Sequence, residues 1–388
     1  MNKKTIISTL LALVSLVASA AVPDSIQRNL EDFDYLTNFT EENYAAFDAI
    51  QEMGYGKEYR KRRDKLRKKL QRGKIGIEQA FCEYAFWFHC NFDAHYFPTG
   101  SQLWGQYWKR CHTYYASLSH YEPKAVSCKV DDATWLIRFP SCDLKNPTVE
   151  WMEQATKDYL ASGCENLIID VRGNGGGDSR IWGPLYDLVI NKAIDKDGVC
   201  LESMFLISQV NITALENEFQ NNLFNKPETE DYQQLKKRTQ EKLDEWKRIL
   251  KEKADGEKYV FAQWGIVCGL SSTQSYPKKV AIIVDKGTAS AAEELVLQAK
   301  WFSDKTHIYG KESTYGADMT GMCVSTRLPN SGLGLFYPTC IFQFEFLDNH
   351  KFGSIGIRPD RIIDLPYPKR LTDNIEEWVL WVAEDLKR

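Results

Sequence analysis

The stretch DKGTASAAEEL, residues 285–295, follows the apolar run VAIIV and places Ser290 at a predicted turn before a helix. A serine hydroxyl acts as a nucleophile when a neighbouring base takes its proton. Ser290 and Glu293 also match the S-x-x-E capping box, in which two side chains satisfy backbone amides at the start of a helix. The stretch alone fits a nucleophile and a helix cap, so a base and an oxyanion site have to come from other parts of the chain.

A second turn, DVRGNGGGD at residues 170–178, directly follows the strand-like run NLIIDV. Its glycines permit backbone conformations closed to other residues, with N–H groups turned outward toward an anion. A dinucleotide-binding fingerprint needs glycine where Asp178 stands, and no Gly-Lys-Ser/Thr phosphate loop is present. We therefore interpret the turn as an oxyanion site in which Gly175 or Gly176 donates an N–H. The alternative is a tight strand-to-helix connection with no chemical role.

The elements around the two turns alternate between strand and helix. ATWLIRFP and KKVAIIVD are typical of strands, and residues 147–163 are typical of a helix that ends at Gly163. Such alternation predicts an α/β fold with right-handed crossovers and a largely parallel sheet. Loops that follow parallel strands lie along one edge of the sheet, so the two turns are expected to meet there. The N–H of Ala291 would then be the second oxyanion donor, at the start of a helix.

Two other segments are predicted to be helical. Residues 21–92 form an N-terminal helical domain, with Thr40 as a helix N-cap and Gly54 as a stop. Within it, KEYRKRRDKLRKKLQRGK is strongly basic, which is typical either of a solvated outer face or of a surface that binds phosphates or membranes. An insertion at about 211–257 carries a long amphipathic helix, whose outer face is either solvated or part of a lid or partner surface.

The N-terminal segment and the net charge predict where the protein is located and which classes of partner it binds. Lys3 and Lys4, a short apolar run and the sequence ASA before Ala21 have the layout of a secretory signal at residues 1–20. We therefore expect an exported protein, periplasmic or extracellular. No later stretch is long and apolar enough to span a membrane, and a net charge of −4 does not favour nucleic acid. The sequence leaves the oligomeric state open.

Three motifs together resemble the C-terminal processing, or tail-specific, serine peptidases, a family that includes the tricorn protease core and the interphotoreceptor retinoid-binding protein. The motifs are LIIDVRGNGGG, VAIIVDKGTASAAEEL and SIGIRPDRIIDLP. The resemblance implies a ClpP/crotonase-like core with a mainly parallel sheet, a catalytic domain over residues 93–388, and Ser290 as the nucleophile that attacks peptide bonds. It implies no metal and no organic cofactor. The segment from Pro98 to Asn166 leaves no room for the PDZ module that many members carry.

Two branches of this family differ in their base. The processing branch uses a lysine in a T-x-G-K segment, but the comparable TYGADM has Ala317 at that position, and Lys300 and Lys311 do not match the motif. The tricorn-like branch uses a histidine before the glycine-rich turn, in a D-G-H-T-like context that NFDAHYF resembles. The resemblance therefore implies His95 as the general base. Histidine suits this task because its ordinary pKa of about 6.5 permits proton transfer near neutrality.

Two departures from the family pattern motivate a second hypothesis. Ala94 stands where tricorn-type sites have a serine, and KFGSIGIRPD lacks the glutamate that orients the histidine, unless Asp348 or Glu345 replaces it. The favoured hypothesis is a serine endopeptidase that acts on peptides or proteins. The alternative is a binding or scaffolding protein that keeps the fold with impaired chemistry.

The ten cysteines lie after the predicted signal, where an oxidising compartment would permit disulfides. Cys82 and Cys90 fall in one predicted helix and are separated by about 12 Å of helical rise, so we expect them not to pair with each other. A zinc site formed by His89, Cys90 and His95 is a third hypothesis for this region. Its spacing fits no common zinc pattern, and a packed core is the competing interpretation.

Overall fold

The computed structural model describes residues 23–111, 120–121, 124–192, 201–221, 230–266, 276–343, 356–368, 370–371 and 375–388. The predicted signal and the candidate acids Glu345 and Asp348 lie outside these residues. The helices are α1 (Asp24–Asn43), α2 (Phe47–Ile50), α3 (Gly56–Gln71), α4 (Ile77–Asn91), α5 (Trp104–Cys111), α6 (Val149–Ser162), α7 (Tyr186–Val189), α8 (Gln209–Phe219), α9 (Glu230–Glu252), α10 (Ala291–Phe302) and α11 (Glu377–Leu386). A π-helical turn, Gln51–Tyr55, precedes α3, and a 3₁₀ segment, Ser179–Leu185, precedes α7.

The strands form two main sheets. They are β1 (Phe97–Thr99), β2 (His120–Tyr121), β3 (Val126–Lys129), β4 (Thr134–Arg138), β5 (Asn166–Asp170), β6 (Leu201–Ile207), β7 (Val260–Ile266), β8 (Lys279–Ile283), β9 (Thr306–Gly310), β10 (Thr320–Arg327), β11 (Gly334–Gln343), β12 (Arg361–Ile362) and β13 (Arg370–Leu371). One sheet has the order β12-β9-β8-β5-β4-β3, and all its pairs are parallel except β3 with β4. The predicted parallel core is therefore confirmed.

The second sheet is antiparallel, and the strand and helix alternation in the sequence does not predict it. Its order is β1-β11-β6-β7, with β10 paired to β11. Strands β6 and β7 flank α8 and α9, so the helical insertion is anchored at both ends in this sheet. Strand β1 begins two residues after His95, and β10 begins at Thr320, which brings both residues into the same region.

Helix α1 corrects one boundary prediction. Thr40 is not an N-cap, because α1 runs to Asn43 and the Thr40 hydroxyl donates to the Leu36 carbonyl at 2.7 Å inside the helix. Leu36 and Phe39, which precede the predicted start at Thr40, are buried on α1. Their packing keeps the chain helical on the N-terminal side of Thr40. Gly54 does interrupt the helical path, with φ of 92° inside the π-helical turn.

The cores follow the two sheets. One core joins α1, α3 and α4 to the antiparallel sheet and the insertion, with Phe33, Phe88, Phe205 and Trp246 among its members. The parallel sheet is covered on both faces, as a sheet built from crossover connections requires. Ile169 packs with α6 and α10 on one face, whereas its neighbour Ile168 packs with α11 on the other.

Two chain-wide expectations can be compared with the fold. Cys82 is a free thiol and Cys90 is disulfide-bonded, so the two do not pair, as predicted. Within the residues that the structure describes, no helix combines the length and the apolar character needed to cross a bilayer.

Candidate active site

The two predicted turns meet at one edge of the parallel sheet. Strands β5 and β8 are direct parallel neighbours, with Asp170 opposite Ile283. Beyond the strands, the N–H of Ala289 donates to the Asn174 carbonyl at 2.9 Å. The N–H of Gly173 donates to the Asp285 carboxylate, also at 2.9 Å. These bonds fix the glycine-rich turn against the turn that carries Ser290.

Ser290 lies immediately before α10 in a backbone conformation that side-chain-bearing residues rarely adopt, with φ of 52° and ψ of −123°. Such conformations cost about 1–3 kcal/mol and persist where surrounding contacts impose them. The Glu293 carboxylate accepts the Ser290 N–H at 2.9 Å, so the predicted link between the two residues is present. The serine is nevertheless partly exposed. Its place at a helix start therefore leaves the hydroxyl accessible.

Gly176 touches the serine directly. A Cβ atom at this position would lie 2.6 Å from the Ser290 Cβ, and φ is +92°. Only glycine fits both conditions. The Gly176 N–H donates to the Asn174 side-chain oxygen at 3.0 Å, which argues against the donor role predicted for it. Among the hydrogen bonds of the described residues, none uses the N–H of Gly175 or of Ala291, so these two remain the candidate oxyanion donors.

The structure brings Ser290 and His95 together although 195 residues separate them in sequence. His95 Nε2 lies 3.1 Å from Ser290 Oγ, and His95 Nδ1 lies 2.9 Å from Thr320 Oγ1. The Thr320 hydroxyl donates in turn to Asp93 Oδ1 at 2.8 Å. The four side chains form one continuous chain of hydrogen bonds from the serine to a carboxylate.

The direction of these bonds assigns the histidine tautomer. An ionised Asp93 can only accept, so the Thr320 hydroxyl donates to it and has its own oxygen free to accept from His95 Nδ1–H. His95 Nε2 then carries no proton and accepts from the Ser290 hydroxyl. This is the tautomer that a general base needs, because the unprotonated nitrogen faces the nucleophile.

Asp93 is held in its ionised form. Burial alone would raise its pKa, but the hydrogen bond and charge of His95 and the Thr320 hydroxyl outweigh burial and lower the pKa below its ordinary value. Its side chain has no exposed surface. The His95 N–H donates to Oδ1 at 2.9 Å and the Tyr44 hydroxyl donates to Oδ2 at 2.9 Å. Asp93 thus receives donors on both oxygens and fixes the backbone of His95 as well as its ring.

A second buried carboxylate, Glu293, supports the loop on the other side of Ser290. Besides the Ser290 N–H, it accepts from the N–H of Gly316 at 2.7 Å and of Ala317 at 2.8 Å. Burial and the negative charge of Asp318 raise the pKa of Glu293 to about 8, against the opposite effect of these donors. Ala317, the residue compared above with the lysine of the processing branch, is buried and contacts Glu293 through its backbone N–H.

The lysines considered from the sequence have other partners. Lys311 Nζ donates to the Leu365 carbonyl at 2.9 Å, and Lys300 Nζ donates to the Arg358 carbonyl at 3.2 Å. Lys286, in the turn that leads to Ser290, donates to the Thr314 carbonyl at 3.0 Å, and burial lowers its pKa. The imidazole of His95 is the base within reach of Ser290 in the described part of the chain.

Ser290 and His95 open into a large cleft of about 1420 Å³. Both glycine-rich-turn candidates, Gly175 and Gly176, line it, as does Ala94. The insertion lines the same cleft through α8 and α9. Within the described residues no group of His, Cys, Asp and Glu side chains has the arrangement of a metal site. His89, considered for zinc, pairs its Nε2 with the Tyr315 hydroxyl at 2.9 Å.

The overall architecture is similar to that of solved structures. A structure of mature CPAF matches with a TM-score of 0.56 and 13% identity, over 89% of this chain and 94% of that chain. A structure of mature CPAF complexed with lactacystin matches with a TM-score of 0.55 and 12% identity, over 89% and 95%. The chain has the fold of the S41-type peptidases. In this peptidase fold the helical N-terminal region is shared as well. Neither the models of known families nor the curated proteins gave a match in sequence.

Two residues of this peptidase-fold site were missed in the sequence. Asp93 stands two residues before His95, and an aspartate that binds a backbone N–H two residues on is a common turn motif, so NFDAHYF did contain a local signal for it. Thr320 gave no such signal, because it meets His95 only through the pairing of β10 in the antiparallel sheet. Sequence spacing says nothing about a contact across 225 residues.

Proposed function

We propose that the protein is a serine endopeptidase in which Ser290 is the nucleophile and His95 the general base. The observation that carries the proposal is the 3.1 Å contact between Ser290 Oγ and His95 Nε2, with the tautomer fixed from behind by Thr320 and Asp93. Asp93, acting through Thr320, also supplies the acidic group whose absence from the family pattern motivated a non-catalytic binding protein.

In the first half of the reaction, Ser290 Oγ attacks the carbonyl carbon of a peptide bond while its proton moves to His95 Nε2. The positive charge that forms on the imidazole is balanced by ionised Asp93 through Thr320. The N–H groups of Ala291 and Gly175 donate to the oxyanion of the tetrahedral intermediate, and such donors contribute about 3 kcal/mol each in comparable sites. His95 then gives its proton to the leaving amine, which leaves an acyl ester on Ser290.

In the second half, His95 removes a proton from water, and the resulting hydroxide attacks the acyl ester. The ester bond breaks, Ser290 Oγ takes back a proton from His95, and the carboxylate product departs. Every proton moves between the serine, the histidine, water and the two peptide products, so the cycle is balanced by these groups alone.

We also propose that the reaction takes place outside the cytoplasm. The support is the leader-like layout of residues 1–20. A fusion of these residues to a reporter that is active only after export tests this part independently of catalysis. Retention of the reporter in the cytoplasm would contradict it.

The catalytic proposal is tested with a fluorophosphonate probe and an internally quenched protein-derived peptide. Ser290→Ala is expected to lose both labelling and hydrolysis, while Ser331→Ala, an exposed serine of the β10–β11 connection, keeps both. Mass spectrometry should locate the probe on Ser290. Peptide binding without labelling or turnover in the unmodified protein would overturn the proposal in favour of a binding protein.

A further inference from the structure

The cleft beside Ser290 is larger than chemistry at one peptide bond requires. Its volume of about 1420 Å³ exceeds the roughly 300–1,000 Å³ typical of sites for single small molecules. Space on this scale accommodates several consecutive residues of an extended polypeptide. The side chains that line the cleft away from Ser290 and His95 therefore decide which segments it holds.

One wall of the cleft is a single face of α9. Leu235, Thr239, Lys242 and Trp246 all line the cleft and recur at spacings of four, three and four residues, which places them along one side of a helix. Leu235 is 37% exposed and Trp246 is 1% exposed, so the face runs from solvent into the core. The insertion thus presents the apolar side chain of Leu235 at the open end of a face that also carries Thr239 and Lys242.

Aromatic side chains from the N-terminal region and the antiparallel sheet line another part of the cleft. Phe97 packs on Phe336 with ring centroids 4.8 Å apart, and His89 lies 6.2 Å from both Phe97 and Tyr315. Trp108 of α5 lines the cleft too and is 38% exposed. Large apolar side chains that remain exposed inside a concave site mark a surface for an apolar ligand group.

The charged side chains that line the cleft favour neither a negatively nor a positively charged ligand. Acidic and basic groups are equal in number: Asp143, Asp178, Glu218, Lys145, Arg180 and Lys242. Arg180 pairs with Asp178, its Nε lying 2.9 Å from Oδ1, and Lys242 pairs with Glu245 at 2.7 Å. Because two of the three cations, Arg180 and Lys242, are paired with carboxylates within the protein, the cleft favours an internal segment of a chain over a free terminal carboxylate.

We propose that α8 and α9 of the insertion, together with Trp108, form the substrate-recognition surface, and that the substrates are extended polypeptide segments with bulky apolar side chains. This inference rests on the proposed function, because the recognised segment is the one presented to Ser290. Leu235 is then a specificity-determining residue, remote from the reacting atoms.

The test separates recognition from catalysis by measuring binding to the Ser290→Ala protein. A fluorescent decapeptide that contains Leu and Phe is compared by anisotropy with the same peptide in which Ser replaces both residues. We expect the apolar peptide to bind at least about tenfold more tightly, and Leu235→Asp to remove about tenfold of that affinity. Leu160→Asp is the matched control, because Leu160 is 51% exposed on α6, outside the cleft.

Equal binding of the two peptides, or equal losses in Leu235→Asp and Leu160→Asp, would overturn the recognition surface. If Leu235→Asp does not fold, Trp108→Ser serves as the second variant with the same expectation. Fluorophosphonate labelling of Ser290 in the unmodified protein tests catalysis separately, since peptide binding is measured on the Ser290→Ala protein.

Discussion

The contact chain from Asp93 to Ser290 makes a quantitative prediction for Asp93→Asn. Asp93 Oδ1 lies 3.6 Å from His95 Nδ1, and a charge pair at that distance with an effective dielectric constant of about 20 interacts by about 5 kcal/mol. That attraction is present only when the imidazole is protonated during the reaction. Loss of it should therefore lower kcat/KM by roughly 3,000-fold, since each 1.4 kcal/mol is a factor of about ten.

An amide at position 93 also reverses the donor order behind the histidine. It can donate to Thr320, whose hydroxyl then donates to His95 Nδ1, and the ring proton moves to the nitrogen that faces Ser290. Thr320→Val and Thr320→Ser isolate this effect, because only the serine keeps the hydroxyl. We expect a loss of about 50-fold for valine and a few-fold for serine, as for a hydrogen bond to a charged group.

For each variant we would measure kcat/KM with the internally quenched peptide, the rate of fluorophosphonate labelling and the thermal unfolding temperature. The labelling rate reports on activation of Ser290 without any requirement for a good substrate. Asp93→Asn activity within tenfold of the unmodified enzyme, in a folded protein, would refute the assignment of Asp93. Equal activity of the Thr320 variants would refute the role of the hydroxyl.

Three further predictions test the support of the site. Because the pKa of Glu293 is raised to about 8 from its ordinary 4.5, folding retains a proton there, and stability falls by about 1.4 kcal/mol per pH unit between these values. Urea unfolding at pH 5.5, 6.5 and 7.5 should show this slope removed in Glu293→Gln, and parallel pH dependences would contradict it. Gly176→Ala should lose activity and unfold at lower temperature, because its Cβ meets Ser290, whereas Gly183→Ala has open space and keeps both properties. Lys300→Ala and Lys311→Ala should keep kcat/KM within about twofold while His95→Gln loses it; a large loss in either lysine variant would restore a lysine base.

Local patterns were sufficient for the parallel half of the molecule. NLIIDV and VAIIV are apolar runs between turn signals, and the glycines of residues 173–177 mark a backbone path that few residues can follow, so β5, β8 and their turns could be predicted. The antiparallel sheet could not, because β11 pairs with β1 and with β6, two strands far from it in sequence, and these pairings follow no repeating strand and helix pattern.

The same distinction separates the site residues. Ser290 follows a strand and opens a helix, and its motif indicates its place. His95 was reached through a family resemblance, since a lone histidine among aromatic residues has no spacing of its own. At Thr40 the local pattern was misleading. The sequence has a good N-cap pattern there, but the buried side chains of α1 continue the helix through Thr40 to Asn43.

The hydroxyl and the imidazole belong to different sheets: Ser290 follows a strand of the parallel one, whereas His95 precedes β1 and Thr320 begins β10 of the antiparallel one. During synthesis His95 leaves the ribosome long before Ser290. Strand β10, whose Thr320 contacts the His95 ring, is made after both residues. A nascent or half-assembled chain would therefore have no competent nucleophile. For a proposed peptidase made inside a cell, such late completion keeps the growing polypeptide from cutting its surroundings.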